Sequence, residues 1–399
     1  MSRQVIIASG VRTAIGEFAG SLASMSPCDL GAAVAREAMA RAGVTGAEIG
    51  QTVFGNVIHT APEDMYLSRV AAMRAGVPET VPALTLNRLC GSGLQAVVTA
   101  AEQILLGNAD ITLAGGAESM SRSGHLLTGS RVGQKMGDVA AIDMMIGVLT
   151  DPFGHGHMGI TAENVAERCN IDRAAQDAFS LESHKRAARA IAEGRFASQI
   201  LPVTVKKGRF EVVFDTDEHV RPDVTEADFA KLRPAFRKDG TVTAGNSSGI
   251  NDGAAALVLM EAQTARSRGV TPMARIVAYG LGGVAPDVMG LGPVPAVRQA
   301  LVRAELTVAD IDVVESNEAF AAQACAVSQE LGLQPERVNP NGGAVALGHP
   351  VGASGAIILI KLIYELARTG GRYGIATMCI GGGQGIAVVV ERIQDGQRA

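Results

Sequence analysis

A chain of 399 residues with 47% hydrophobic content is long enough for two or three domains around a substantial core, which makes it a globular protein rather than a small module. Its formal charge of −5 excludes general electrostatic binding of nucleic acid, so any anionic ligand must meet a local patch. The longest apolar stretch, Ala356 to Leu366, contains Lys361 and falls short of the roughly 20 residues that a bilayer span needs, so no membrane partner is expected.

Strand-like and helix-like segments alternate from the start. The apolar run Val5 to Ala8 is too brief for a signal-peptide core and reads as part of a first strand, Gln4–Ser9, so a cytoplasmic protein is expected. Helical spacing follows over Asp29–Ala42, an extended segment over Thr52–Val57, and a helix around Met65–Ala75. Next come extended Ala83–Asn87, the helix Ser92–Leu106, and a strand Ile111–Ala114 ending in a Gly115-Gly116 turn. This is α/β ordering. From Ser119 to Ala244 the alternation breaks into polar loops, a dense helix Arg173–Glu193 and a charged stretch Lys206–Asp239, an insertion of the kind that builds substrate sites.

The C-terminal part repeats the grammar: extended Ala274–Tyr279, a helix near Ala296–Ala304, the strand Ile311–Glu315, and a helix over Glu318–Leu331. Ser354-Gly355 then opens a helix Ala356–Ala367 before the strand Gly374–Met378, as Ser92-Gly93 opens a helix before Ile111–Ala114. The order of elements therefore predicts two similar α/β halves.

The five cysteines are odd in number, scattered and without a CxxC pair, so neither a disulfide framework nor a zinc site is expected. His155 and His157 lack a nearby carboxylate, and no metal is expected there either. Cys90, in Asn87-Arg88-Leu89-Cys90-Gly91-Ser92-Gly93, lies at a helix start, where free N–H groups and the helix dipole are expected to lower the thiol pKa. The alternative is a small buried capping residue. His349 sits in a stretch from Gly342 to Gly355 too glycine-rich for a regular element, placed to act as a base or to be a structural histidine. Cys379 precedes the four glycines of Gly381-Gly382-Gly383-Gln384-Gly385 at a strand end; it is either a site residue or incidental to a glycine hairpin. Asn317 is either a helix cap or a catalytic amide.

Together the segments NRLCGSG at Cys90, NEAF at Asn317–Phe320, GHPxGASG at His349–Gly355 and CxGGGQG at Cys379–Gly385 resemble the thiolase family over essentially the whole chain, most closely its biosynthetic type. The resemblance implies a layered αβαβα core of duplicated halves, 1–119 plus 249–271 and 272–399, with a loop domain inserted at 120–248. It implies an acyltransferase working on acetyl-CoA, acetoacetyl-CoA and short 3-ketoacyl-CoA, with coenzyme A and acyl-CoA as substrates and no tightly bound cofactor. Cys90 would carry the acyl group, His349 would activate it, Cys379 would move the α-proton, and Asn317 would hold a water of the first oxyanion site. Backbone N–H groups of Cys90 and Gly381 would form the second.

For the CoA thioester the resemblance points to His157, Met158, Arg221, Phe236, Ala244, Ser248, Met289 and Phe320, with Arg221 and Phe236 flanking the adenine. Lys206, Lys207, Arg209, Arg233, Arg237 and Lys238 supply basic charge for the phosphates, or a solvated surface. His155-Gly156 departs from the aromatic residue common before this histidine in short-chain members. The resemblance also implies a homotetramer, with Ser121–Asp138 joining dimers. A degradative 3-ketoacyl-CoA thiolase is an alternative within the chemistry, and a silent CoA- or lipid-binding relative is one outside it; the latter is expected to lack one of Cys90, His349 and Cys379. Condensing enzymes of fatty-acid synthesis place a histidine where Cys379 stands, and a Cys-His hydrolase needs a water route to acyl-Cys90.

Overall fold

The computed structural model describes residues 3–393, so the outer ends of the expected halves, 1–2 and 394–399, lie outside the described residues. The first half runs β1 (Val5–Thr13), α1 (Pro27–Ala42), β2 (Gln51–Gly55), α2 (Leu67–Arg74), β3 (Ala83–Leu86), α3 (Ser92–Leu105) and β4 (Ile111–Ser119). The chain then makes a long excursion containing α4 (Met158–Cys169) and α5 (Arg173–Ala192), touches the sheet where Ile200 and Leu201 pair parallel with Arg12 and Thr13 of β1, and rejoins it as β5 (Asn251–Glu261). The second half follows as β6 (Ala274–Gly283), α6 (Pro293–Ala304), β7 (Val313–Ser316), α7 (Ala321–Leu331), α8 (Val351–Thr369), β8 (Tyr373–Ile380) and β9 (Gln384–Glu391).

The strands form one sheet in the order β7-β8-β9-β6-β1-β5-β4-β2-β3. Its two arms share a pattern: β1 pairs antiparallel with β5, β5 antiparallel with β4, and β4 parallel with β2. In the other arm β6 pairs antiparallel with β9, β9 antiparallel with β8, and β8 parallel with β7. The arms meet through the short pairing of Ile6 and Ile7 with Arg275 and Ala274. The expected duplication is thus present in strand pairing as well as element order, and the mixed α/β core is layered as the resemblance implied.

Three expectations are corrected. Gly115-Gly116 is no turn, because β4 continues through both residues to Ser119. Each glycine marks a close approach: an added Cβ would stand 2.2 Å from Ala255 O at Gly115 and 2.2 Å from Gly352 O at Gly116. Ser354-Gly355 does not open α8, which starts at Val351; the pair lies in its first turns. The helix expected from Glu318 starts three residues later, at Ala321. In addition, β5, buried along its whole length in the middle of the sheet, was not read as a strand. A strand covered on both faces shows no polar alternation to reveal it.

Helices α3 and α8, equivalent in the two halves, pack against each other. Their glycines permit this, since a Cβ on Gly355 would lie 2.2 Å from Leu94 N and one on Gly93 2.8 Å from Ala356 N. Gly355→Ala is accordingly expected to lower stability by about 1–3 kcal/mol, the usual cost of overpacking a filled core. A thermal unfolding midpoint equal to that of the parent protein would show that the contact is not tight. Lys361 on α8 is buried in an ion pair with Glu315 at 2.8 Å and also donates to Gly342 O at 2.7 Å, which ties α8 to the glycine-rich loop before it. Among the described residues no helix is long and apolar enough to cross a membrane.

Candidate active site

The Cys90 turn is built by its neighbours. Asn87 Oδ1 accepts from the Leu89 N–H at 2.8 Å, while Ser92 Oγ accepts from the Arg88 N–H at 2.8 Å and donates to Leu89 O at 2.7 Å. These bonds hold Leu89 at φ +47°, a conformation a leucine adopts only when its surroundings impose it. Cys90, half-buried, is thereby presented at the start of α3, and its thiol receives the N–H of Gly381 from the far half. The expected lowering of its pKa does not occur. Burial pushes the thiol up to about 11, outweighing the N–H groups of Gly381 and Cys90 that favour the thiolate, and the charge of Glu118 adds to the rise. A neighbouring base must therefore take the proton.

His349 is that neighbour. Ser354 Oγ donates to Pro350 O at 2.9 Å, so its only proton is committed and it can only accept from His349 Nδ1, 2.6 Å away. This assigns the proton to Nδ1 and leaves Nε2 as the free basic atom. Burial lowers the imidazolium pKa to about 4, so the ring is a neutral base near pH 7. The loop is anchored by the His349 N–H on Asn251 Oδ1 at 2.9 Å, and Gly348, at φ +104°, has no room for a Cβ beside that amide.

Cys379 is the penultimate residue of β8 and is buried; burial and the adjacent Cys90 raise its thiol above the ordinary range. The glycine hairpin is real as well, for Gly381 to Gly383 connect β8 to β9 with φ of +80° at Gly382 and +85° at Gly383. Asn317 follows β7 and caps no helix; Phe320 occupies the N-cap position of α7. The Asn317 Nδ2 lies 3.5 Å from His349 Nε2. Glu318 beside it is buried and accepts from Ser183 Oγ at 2.7 Å, Asn339 Nδ2 at 2.7 Å and the Val345 N–H at 3.1 Å, so it braces the histidine loop.

Cys90, His349, Cys379 and Gly381 line one cavity of about 590 Å³, together with His157, Met158, Phe236, Ala244, Ser248, Met289 and Phe320. Two of the expected residues do not line it. Asn317 lies beside His349 Nε2 without lining the cavity, and Arg221 is exposed outside, its guanidinium 3.2 Å from Glu17 Oε1. Phe236 is not free to flank a base on both faces: the His157 ring stacks on it at 4.8 Å, and Phe320 meets it edge-on at 6.2 Å. His157 Nδ1 also accepts from the Gly159 N–H at 3.0 Å, capping α4. The basic residues Lys206, Lys207, Arg209, Arg233, Arg237 and Lys238 do not line the cavity.

The two thiols stand on different walls. Cys90 packs with Ile58, Met120, Met145 and Val351, and Cys379 with Met158, Met289, Ala319 and Phe320. Sequence reading missed Glu17, Val57, Met120, Leu149, His219, Ile250 and Val351 in the cavity wall. Val351 lies within the His349 motif and Ile250 just beyond Ser248, so both were findable from the named segments; Glu17 and His219 carried no local signal. Chemically, a buried neutral base beside two protonated thiols, with N–H groups aimed at one sulfur, suits acyl transfer through a thioester.

Comparison with known proteins bears on this site. The profile "Thiolase, N-terminal domain" matches residues 5–263 and "Thiolase, C-terminal domain" matches residues 270–392. The chain is 59% identical to beta-ketothiolase BktB of Cupriavidus necator, over 98% of this chain and 100% of that protein. It is 51% identical to an acetyl-CoA acetyltransferase of Chromobacterium violaceum, again over 98% and 100%. Among solved structures it resembles the Bacillus anthracis acetyl-CoA acetyltransferase, with a TM-score of 0.96 and 46% identity over 98% of this chain and 99% of that one. It also resembles human mitochondrial 3-ketoacyl-CoA thiolase in complex with CoA, with a TM-score of 0.95 and 41% identity over 98% of each chain.

Proposed function

Because the chain belongs to the thiolase family, we infer that it is an acetyl-CoA C-acetyltransferase, a β-ketothiolase that condenses two acetyl-CoA, or acetyl-CoA and a short acyl-CoA, into a 3-ketoacyl-CoA and CoA, and runs the reverse thiolysis. The observation that carries the reading is the meeting of two thiols and a neutral imidazole on one cavity, with the Gly381 N–H directed at Cys90 Sγ.

In the first half-reaction His349 Nε2 takes the Cys90 proton, and the sulfur attacks the thioester carbonyl of acetyl-CoA. The C–S bond to CoA breaks, the proton passes to the departing CoA sulfur, and the acetyl group remains on Cys90. Asn317 holds the Nε2 side of the ring and, through a water, the first oxyanion. In the second half-reaction Cys379 gives its proton to His349 and, as thiolate, removes an α-proton from the incoming acetyl-CoA; the enolate carbon attacks acyl-Cys90, and the imidazolium returns its proton to the Cys90 sulfur as that sulfur departs. A carbon–carbon bond forms while the Cys90 C–S bond breaks, with the N–H groups of Cys90 and Gly381 receiving the oxyanion. A thiol held above its ordinary pKa is a strong base once ionised, which matches it to a weakly acidic α-carbon. The sequence balances with CoA thioesters alone and no bound cofactor. His157, Met158, Phe236, Ala244, Ser248, Met289 and Phe320 enclose the pantetheine and acyl portions, and Arg221 leaves Glu17 to meet the adenine nucleotide outside the cavity.

The direct test is consumption of acetoacetyl-CoA, expected only when free CoA is added and falling as the chain lengthens. CoA-independent turnover would sink the reading, and a rate rising with chain length would select the degradative alternative. Since Cys90 and His349 are both neutral at rest, inactivation by iodoacetamide is expected to climb steadily through the alkaline range towards the thiol's pKa of about 11. A plateau reached near pH 7 would instead reveal a preformed thiolate.

We also propose a cytoplasmic homotetramer. The excursion carries Leu126, Leu127, Val132 and Met136 on its surface, with Val132 and Met136 88% and 89% exposed, an apolar ridge suited to joining dimers. Sedimentation is expected to give a tetramer, and Val132→Asp with Met136→Asp a dimer that keeps activity. A monomer in either case would refute the assembly.

A further inference from the structure

Glu118, near the end of β4, has no exposed surface and is absent from the chemistry above. Its Oε1 accepts from the Ile58 N–H and Asn56 Nδ2, both at 3.1 Å; its Oε2 accepts from the Val57 N–H at 3.0 Å and the Gly352 N–H at 2.9 Å. Val57 lines the catalytic cavity and packs with Cys90. Gly352 is the second residue of α8, three residues after His349 and two before Ser354, whose hydroxyl fixes the imidazole. Gly352 has to be glycine, because a Cβ there would stand 2.5 Å from Glu118 Oε2.

We propose that Glu118 is a positioning residue for catalysis, a single carboxylate that clamps the Cys90 wall of one half to the His349-bearing helix turn of the other. The proposal rests on the thiolase reading of the site. Its physical basis is the donor set. All four partners are N–H groups, so the clamp needs a group that only accepts, which an ionised carboxylate is and an amide or protonated acid is not. The Gly352 N–H belongs to the first turn of α8, where the helix dipole also favours a negative charge. Acyl transfer requires the base and the sulfur held in register, and a misplacement of about 1 Å costs on the order of 100-fold in rate. These two groups lie on separate halves of the fold, and Glu118 bonds at once to Val57 and Ile58 on the Cys90 side and to Gly352 on the His349 side.

The same charge acts on Cys90, raising its thiol pKa; Asp64 is the other titratable group whose charge Glu118 feels. Burial pushes the Glu118 carboxyl itself up to about 8, against the opposing N–H groups of Ile58, Val57 and Gly352, so the carboxylate that the clamp requires is fully formed only above that pH, the range in which kcat and the alkylation profile are to be compared.

The test uses the full chain. Glu118→Gln keeps the volume but turns an NH₂ group towards N–H donors. Its kcat for CoA-dependent cleavage of acetoacetyl-CoA is expected to fall about 10- to 100-fold, with KM changed less than about threefold. With the negative charge gone, the iodoacetamide profile of Cys90 is expected to move to lower pH. Glu118→Asp, one methylene shorter, is expected to restore the alkylation profile without restoring kcat, because it cannot reach Val57, Ile58 and Gly352 together. Wild-type kcat per titrated thiol with an unchanged alkylation profile in Glu118→Gln would overturn the proposal, whatever its melting temperature. If neither variant folds, Gly352→Ala displaces the carboxylate from the other side and is expected to reproduce the loss in kcat; normal kcat there would overturn it equally. Absence of CoA-dependent cleavage in the unmodified protein would instead mark the failure of the thiolase reading, which the alkylation profile does not depend on.

Discussion

Cys90→Ala is expected to abolish CoA-dependent cleavage of acetoacetyl-CoA, with a loss on the order of 10⁴-fold or more, because no other group can hold the acyl fragment between the half-reactions. His349 keeps its bond to Ser354 in this variant and Cys379 stays on its own wall, so the fold and the cavity should persist. Three sulfur-bearing alternatives are poorly placed to substitute: Cys28, Cys169 and Cys325 do not line the cavity. The measurement is the disappearance of acetoacetyl-CoA with and without added CoA, alongside circular dichroism to verify folding. Activity within tenfold of the parent would show that the acyl carrier is another residue. Acetylation of the protein by acetyl-CoA, followed by intact mass, should vanish in the same variant.

Cys379→Ala is expected to separate the two halves of the reaction. Acylation of Cys90 needs His349 and the departing CoA, and neither depends on the second thiol. Acetyl transfer from acetyl-CoA to the protein should therefore proceed within about tenfold of the normal rate, while condensation and thiolysis fall by on the order of 10³-fold or more for want of the base that moves the α-proton. The readouts are exchange of labelled CoA into acetyl-CoA for the first half and formation of acetoacetyl-CoA for the second. Equal loss of both would contradict the division of labour. The raised pKa of Cys379 gives the experiment a further sign, since a weaker acid yields a stronger base, and a replacement with lower basicity should lose condensation even when its size is right.

Much of the fold was legible because its signals are local. Apolar spacing marks α1 and the end of α7 without reference to anything distant, as in the helical readings Asp29–Ala42 and Glu318–Leu331. The strand β5 was not legible, because residues covered on both faces show no periodicity, and the Gly115-Gly116 pair misled for a related reason. Glycine marks a turn when the backbone needs positive φ, but here it marks the place where another chain segment comes within contact distance. For Gly115 that segment is β5, and for Gly116 it is α8, more than 200 residues away in sequence.

The sequence by itself determined which residue types could do the chemistry and the turns that present them: the thiol before a helix, the histidine among glycines, the second thiol at a strand end. Only the tertiary structure decided their state. Whether Cys90 is thiol or thiolate depends on a balance in which only its own N–H is local, while burial by both halves, the Gly381 N–H and the charge of Glu118 all come from distant parts of the chain. The local contribution alone predicts a lowered pKa; the non-local ones together reverse the sign. The same holds for cavity membership, for Arg221 is turned out towards Glu17, and Asn317 lies beside His349 Nε2 without lining the cavity. Such outcomes are set by which distant surfaces meet, and desolvation and charge act through space rather than along the chain.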